Sequence, residues 1–288
     1  MIPFELVEAQ SLREAVGLLD PADASVRPIA GGTALMLMMK AGLFRPTRLV
    51  SLRSVQGGSD IRFDADGGVR IGALTPLAVL EHSPDIRRLL PVIACTLRVL
   101  SNVRVRNVAT VGGCLAHGDP HMDLPPVLIA LGASVRALGA GGERIIPLTD
   151  LLTGYFETQL AKDELITELL VPPQNGRRSA YLKCTTRAGH DWPTLGVAVS
   201  VAVDGDSVRD ATVVVSAATE RAMQIEAPRT LLVGRRPDAK LLRAAGEAAA
   251  AALADELHGS TAYKQQLVRV YVERALRQAL DGDGGALQ

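Results

Sequence analysis

A chain of 288 residues, 48% of them hydrophobic, can bury a sizeable core in one large or two modest domains. Its 31 Lys plus Arg balance 31 Asp plus Glu, so no global field draws it to nucleic acid or to an anionic membrane, and nucleic-acid binding falls away as a function class. The apolar segment Ile29 to Met39 has only about half the length of a bilayer span, and the N-terminus lacks the basic-then-apolar pattern of a secretory signal, so the cytoplasm is the expected compartment.

From Pro3 to Leu19 the pattern predicts a short strand and then a helix, with Ser11 as N-cap, Glu14 three residues later, and Ala15, Leu18 and Leu19 on one face. Val26 to Ala30 reads as a strand, Gly31-Gly32-Thr33 as a tight loop, Ala34 to Lys40 as a helix facing that loop, and Arg48 to Ser51 as another strand. Ile61 to Phe63 and Val69 to Ile71 flank the turn residues Asp64 to Gly68 as a hairpin. Thr75-Pro76 predicts an N-cap followed by proline at the first helical position, and Ser83-Pro84 repeats that signal before a helix from Asp85 to Leu100.

A second glycine pair, in Thr110-Val111-Gly112-Gly113-Cys114-Leu115, is expected to form a loop at a strand end like the first. Beyond it, Leu124-Pro125-Pro126 leads into the apolar stretch Val127 to Leu131, and Ala133 to Ala137 with Glu143 to Pro147 read as a hairpin around Gly139 to Gly142. Leu165 to Val171 reads as a strand stopped by Pro172-Pro173, and the polar, turn-prone Asn175 to Ser179 is the linker candidate, with a domain boundary near residue 176. Three strands follow, at Ala180 to Thr185, Val197 to Val203 and Asp210 to Ser216, then helices at Ala239 to Leu257 and Tyr263 to Leu280. The C-terminal part is thus a small sheet covered by helices, with the alanines between Ala244 and Ala254 packed closely on it.

A doubled glycine lets backbone N–H groups converge with no Cβ in the way, and a helix starting just after adds its positive end, so each pair is either a turn or a cradle for phosphate oxygens. The first pair matches neither the G-x-G-x-x-G fingerprint nor a Walker loop. The second is followed by His117, Asp119, His121 and Asp123 among glycines and prolines, the mixture of small residues, donors and acceptors that a flavin requires. Asp123 reads either as such an acceptor or as the N-cap of the stretch behind it. On a helix His117 and His121 would make a metal-ligand face, but Gly118 and Pro120 place them in a loop. Cys95, Cys114 and Cys184 lie far apart, so no metal site is expected and the thiols read as packing residues. No nucleophile-and-base arrangement stands out, and no catalytic residue is assigned.

Ala30-Gly31-Gly32-Thr33, Thr110-Val111-Gly112-Gly113 and Asp123-Leu124-Pro125 together resemble the FAD-binding medium subunit of molybdenum hydroxylases, the family of carbon monoxide dehydrogenase, xanthine dehydrogenase and 4-hydroxybenzoyl-CoA reductase. Thr75-Pro76-Leu77, Asn102 to Asn107, Leu165 to Pro172 and Lys183 to Arg187 fall in the family's order, so the resemblance covers nearly the whole chain. It implies an α+β fold: a two-subdomain, PCMH-type (vanillyl-alcohol-oxidase-like) FAD-binding domain over residues 1–175, split into subdomains of about 1–55 and 56–175, then a C-terminal domain over 176–288 built as a small antiparallel sheet with helices. FAD is the implied cofactor. Arg27, Pro28, Ile29, Ala30, Gly31, Gly32, Thr33, Ala34 and Leu35 would line its pyrophosphate and adenosine, and Thr110, Gly112, Gly113 and Asp123 its ribityl and ring region. Leu100, Ser101 and Ile166 would lie against the ring, with Lys183 near the flavin or its electron acceptor and Arg187 on the same segment; both cations otherwise read as surface charges on a strand.

The same resemblance implies that electrons pass from iron-sulfur clusters of a small [2Fe-2S] partner through FAD to an external acceptor. A large molybdenum-cofactor subunit would oxidise the substrate, in a dimer of heterotrimers without nucleic acid or an integral membrane segment. The chain departs from the family in three places. Ala34 replaces a frequent Ser or Asp, which removes one side-chain hydrogen bond to the phosphates; Cys114 stands where Asn is frequent; and Trp192 stands where a smaller residue is expected, either packing at a subunit contact or shaping access to the flavin. The cysteine-bearing insertion of the benzoyl-CoA reductase branch is missing, so no [4Fe-4S] cluster is expected. Two other readings remain beside this one: a stand-alone flavoprotein that oxidises a small molecule itself, and a cofactor-free assembly protein. On the main reading, Gly32→Val or Gly112→Val is expected to abolish FAD retention.

Overall fold

The computed structural model describes residues 3–282. The N-terminal unit holds β1 (Glu5–Glu8), α1 (Leu12–Leu18), β2 (Val26–Ile29), α2 (Leu35–Lys40) and β3 (Arg48–Ser51), with the strands in a parallel sheet ordered β1-β3-β2. Helix α1 starts where Ser11 Oγ accepts from Glu14 N (3.1 Å) and Glu14 reaches back to Gln10 N (2.7 Å). Its Ala15 and Val16 pack on Val50, Leu52 and Leu165.

The second unit runs β4 (Ile61–Phe63), β5 (Val69–Gly72), α3 (Leu77–His82), α4 (Pro84–Leu89), α5 (Pro91–Val99), α6 (Val103–Arg106), α7 (Val111–Ala116) and α8 (Leu124–Ala130). It continues through β6 (Ser134–Gly139), β7 (Gly142–Pro147), α9 (Leu148–Leu151), β8 (Leu152–Gly154), β9 (Glu157–Thr158) and β10 (Leu165–Val171). Five strands form an antiparallel sheet ordered β4-β5-β10-β6-β7, and the helices pack on it through a core that includes Ile71, Leu77, Leu80, Ile93, Leu97, Leu115, Leu128 and Leu169.

The third unit comprises β11 (Arg178–Cys184), β12 (Leu195–Asp204), β13 (Ser207–Ser216), β14 (Met223–Gln224), α10 (Glu226–Leu232), α11 (Ala239–Ala252) and α12 (Thr261–Asp281). Its antiparallel sheet is buried on both faces, which explains why β12 and β13 read as almost continuous apolar runs. Val197, Val199, Val213 and Val215 face α11 and α12, while Ala198 and Val214 pack into the core of the second unit, where α8 lies against β12 and β13. No helix among the described residues is long and apolar enough to cross a membrane.

Several local expectations are corrected. The single helix from Asp85 is two, because Pro91 lacks an N–H and opens α5 just after α4 closes with Leu90 N donating to Ile86 O (2.8 Å). Pro76 itself takes the cap position of α3, leaving the Thr75 hydroxyl buried without a partner, whereas Ser83 does cap α4 through Ile86 N (3.3 Å). The second glycine pair does not end a strand: it lies inside α7 and follows α6. Helix α11 packs closest on α12, with Gly246 against the Arg269 backbone, and it is α12 that lies on β11 and β12. The β8–β9 hairpin, β14 and α10 have no counterpart in the reading of the sequence.

Candidate functional site

Strand β2 delivers Ala30 and Gly31 to a turn in which Gly32 adopts φ +67°, a left-handed conformation that glycine reaches without a Cβ penalty. Helix α2 begins at Leu35 with no side-chain cap. The first N–H in this stretch with a protein partner is that of Met36, which donates to Gly32 O (3.0 Å); those of Gly31, Gly32, Thr33, Ala34 and Leu35 find none among the described residues. A row of unpaired N–H groups in a half-buried turn is able to receive anionic oxygens. Arg27 is exposed on β2, its guanidinium 5.7 Å from the centre of the Phe44 ring.

The second pair is built differently. Thr110 caps α7, its Oγ1 accepting from Gly113 N (3.2 Å), and Gly112 N donates to Ala73 O (2.7 Å). A Cβ on Gly112 would lie 2.7 Å from the Ala73 methyl and 3.0 Å from its carbonyl oxygen, so this glycine is required by packing against the chain itself. Gly113 is exposed, and a Cβ there would meet only Thr110 Oγ1 at 3.0 Å. The two pairs are joined through Gly31, where a Cβ would collide with Val108 O and lie 2.7 Å from its carbonyl carbon. The open turn of the first unit is thus pressed on the segment that leads into Thr110.

Leu100 closes α5 and is buried, followed by Ser101 at φ 51°. Ile166 is buried on β10, and the next residue links it to the second glycine pair: Thr167 O accepts from Ala73 N (2.9 Å), and Ala73 O holds Gly112.

Asp123 stands at the start of α8 yet makes no cap hydrogen bond. Its Oδ2 accepts from Lys183 Nζ (2.9 Å) and its Oδ1 from the Tyr181 hydroxyl (2.7 Å), while Lys183 also donates to Val99 O (3.1 Å). Both members of the ion pair are buried, with side chains 6% and 5% exposed, so Lys183 is no surface charge. Burial pushes the Asp123 carboxyl upward against the pull of Lys183 and Tyr181, and it drives the Tyr181 phenol well above its ordinary value with the Asp123 carboxylate adding to the effect. Burial, then Asp123 and Asp119, raises the Cys114 thiol to about 12, so this cysteine is inert. The node joins the second unit to the third, and sequence reasoning missed Tyr181. The signal for it was available: Tyr181 and Lys183 are two apart on one strand, hence on one face.

Arg187 is exposed on the loop between β11 and β12, and Trp192 on the same loop is 70% exposed and stacked on His121 at 6.1 Å. His121 Nδ1 lies 3.1 Å from Asp119 Oδ1, and Tyr155 and Phe156 at the β8–β9 turn complete an aromatic cluster with His117. Burial opposes it, but the hydrogen bonds from His121 hold the Asp119 carboxyl below its ordinary value; burial lowers His117, with Asp119 resisting.

Known proteins show the same organisation. Residues 2–174 match the family described as the FAD binding domain in molybdopterin dehydrogenase, and residues 180–279 match the CO dehydrogenase flavoprotein C-terminal domain. The chain is 34% identical over 282 residues to the 6-hydroxypseudooxynicotine dehydrogenase complex subunit alpha of Paenarthrobacter nicotinovorans, covering 96% of this chain and 94% of that protein. It is 32% identical to the carbon monoxide dehydrogenase medium chain of Hydrogenophaga pseudoflava, covering 97% and 98%. A solved carbon monoxide dehydrogenase from that organism, in a form lacking the Mo-pyranopterin moiety of the molybdenum cofactor, is similar with a TM-score of 0.90 at 31% identity over 98% of this chain and 99% of that one. With these matches spanning both halves of the molecule, the chain belongs to the FAD-binding medium subunits of the molybdopterin dehydrogenases.

Proposed function

We propose that this chain is the electron-transfer flavoprotein of a molybdenum-dependent hydroxylase, passing electrons from the iron-sulfur clusters of a small partner through FAD to an external acceptor while a large partner oxidises the substrate. A dimer of such heterotrimers in the cytoplasm is the assembly in which we expect it, with the division between its two domains near residue 176. The observation that carries this reading is the row of unpartnered N–H groups from Gly31 to Leu35, set against Val108 and Ala109 at the entrance to Thr110.

In this reading Gly31 to Leu35 bind the pyrophosphate through the backbone, with Arg27 and Pro28 to Ala30 along the adenosine side. Thr110, Gly113 and Asp123 face the ribityl and ring region, with Leu100, Ser101 and Ile166 supplying apolar and backbone surface. Asp123 is held as an acceptor by Tyr181 and Lys183, which fixes its direction before any ligand arrives. FAD, when bound, supplies both one-electron and two-electron exchange, the property that connects iron-sulfur carriers to a two-electron acceptor. The chain's part is binding, orientation and electrostatics.

A visible spectrum of the purified protein tests this. Flavin absorbance released on denaturation, with iron and molybdenum co-purifying in two partner chains, is the expected result. A colourless protein that takes up no FAD would refute the cofactor assignment, and a yellow protein that turns over a small molecule without iron or molybdenum would refute the electron-transfer role.

A further inference from the structure

The turn between α5 and α6 is supported by a buried ion pair that reaches it only through backbone. Arg106 ends α6 and is buried, as is Glu81 on α3; Arg106 Nε lies 2.7 Å from Glu81 Oε2 and Nη2 3.4 Å from Oε1. The remaining face of the guanidinium donates from Nη1 to two successive carbonyls, Leu100 O (3.0 Å) and Ser101 O (2.9 Å). Ser101 sits at φ 51°, a left-handed conformation that a residue with a Cβ keeps only when its surroundings impose it. Glu81 is itself anchored, its carbonyl accepting from Arg87 Nε (2.9 Å).

On the other side, the chain leaving Arg106 goes straight to the first glycine pair. Ala109 N donates to Val105 O (2.7 Å), Ala109 O accepts from Leu77 N (2.9 Å), and Val108 and Ala109 form the surface against which Gly31 is pressed. A buried ion pair is weak evidence for stability, since desolvation offsets its attraction. A planar fork that binds a carboxylate on one edge and two consecutive carbonyls on another does something a lysine or an apolar residue cannot: it dictates the path of the turn.

We propose that Arg106, held by Glu81, is a positioning residue that fixes the Leu100-Ser101 turn, and with it the wall formed by Val108 to Thr110, in the shape that receives FAD. The inference rests on the reading that this turn lines the FAD crevice.

The test is titration of apoprotein with FAD, followed by flavin fluorescence, in the charge-neutral variant Glu81→Gln/Arg106→Gln and in the same variant carrying Ser101→Gly. The neutral pair leaves no unpaired charge buried, so the apoprotein is expected to keep its far-ultraviolet dichroism and melt cooperatively, while FAD binds at least about tenfold more weakly. Glycine adopts φ 51° unaided, so adding Ser101→Gly is expected to restore affinity to within about threefold of the wild type. A neutral variant that binds FAD like the wild type, or a loss that Ser101→Gly leaves untouched, would overturn the proposal; the second outcome is what a merely structural ion pair predicts. Should the neutral pair fail to fold, Arg106→Lys keeps a cation beside Glu81 without the fork and is judged by the same two criteria. Wild-type apoprotein that takes up no FAD would instead sink the cofactor reading, and the inference with it.

Discussion

Gly31-Gly32 and Gly112-Gly113 look alike in the sequence, each with a threonine and a following helix, but their hydrogen bonding differs. The N–H groups from Gly31 to Leu35 have no partner among the described residues, whereas Gly112 N and Gly113 N are both taken, by Ala73 O and Thr110 Oγ1. Only the first pair leaves its backbone donors unpaired among the described residues. The second pair brings a helix against β5, and what it offers a ligand is one bare helical surface at Gly113. A glycine doublet therefore reports close approach, and the partner that approaches can be a cofactor or the protein's own backbone.

That distinction makes its strongest prediction within the second pair. Gly112→Val would drive a branched side chain into Ala73 and is expected to cost about 3 kcal/mol or more of stability, seen as loss of soluble protein or a large fall in thermal midpoint whether or not FAD is present. Gly113→Ala adds a methyl to an exposed face and raises helix propensity by up to about 1 kcal/mol, which offsets the crowding of the Thr110 cap hydroxyl 3.0 Å away, so its apoprotein is expected to stay within about 1 kcal/mol of the wild type while binding FAD weakly. If both variants lost FAD and stability in parallel, the two glycines would not differ as described. If Gly113→Ala kept full flavin, the exposed face of α7 would lie outside the crevice. In the first pair, Gly32→Val combines a left-handed φ with an obstruction of the cradle, and its flavin loss should exceed its loss of stability.

The next effect concerns the node that ties the second glycine region to the C-terminal unit. Lys183→Met leaves the Asp123 carboxylate buried without its cation, and denaturant titration should find the apoprotein about 3 kcal/mol less stable. The double variant Asp123→Asn/Lys183→Met removes both charges and should recover to within about 1 kcal/mol of the wild type. Neither is expected to retain FAD. A double variant that is stable and fully flavinylated would reduce the pair to a docking contact between units.

These contrasts also show where the sequence was informative. Most strand and helix periodicities of the three units were legible, because apolar spacing and the Ser11 and Ser83 caps are local signals. The family resemblance, carried by the two glycine motifs and Asp123-Leu124-Pro125, agrees with the matches over both halves of the chain. What was not legible depends on contacts between distant segments. Nothing around Gly112 reveals that Ala73 will lie against it, nothing near Asp123 reveals Tyr181 and Lys183, and Arg106 in a basic run gives no hint that Glu81 is waiting 25 residues earlier. Helix α7 was misread as a loop because paired glycines signal a turn locally, and only the Thr110 cap and the packing against β5 overrule that signal.

The smallest effect is a dependence on pH at the end of α7. His117 follows that helix and packs edge-on against Phe156, with ring centres 5.0 Å apart, and burial holds its pKa below the ordinary value of 6.5. The unfolded chain therefore takes up a proton at this side chain before the folded chain does. By linkage, stability falls as pH drops below about 6.5 and stops falling once the folded histidine is also protonated. Because the ring remains partly solvated, the loss should stay under about 1 kcal/mol. Asp119 does not confuse this window: its carboxyl is held below 3.8 in the folded state, so its stabilisation is present above that value and is lost only at lower pH. Apoprotein melts between pH 5 and 7.5 should show the decline in the wild type and flatten it in His117→Phe, which keeps the ring contact and removes the titrating nitrogens. An unchanged slope in that variant would place the titration elsewhere and detach pH sensitivity from the helix that carries the second glycine pair.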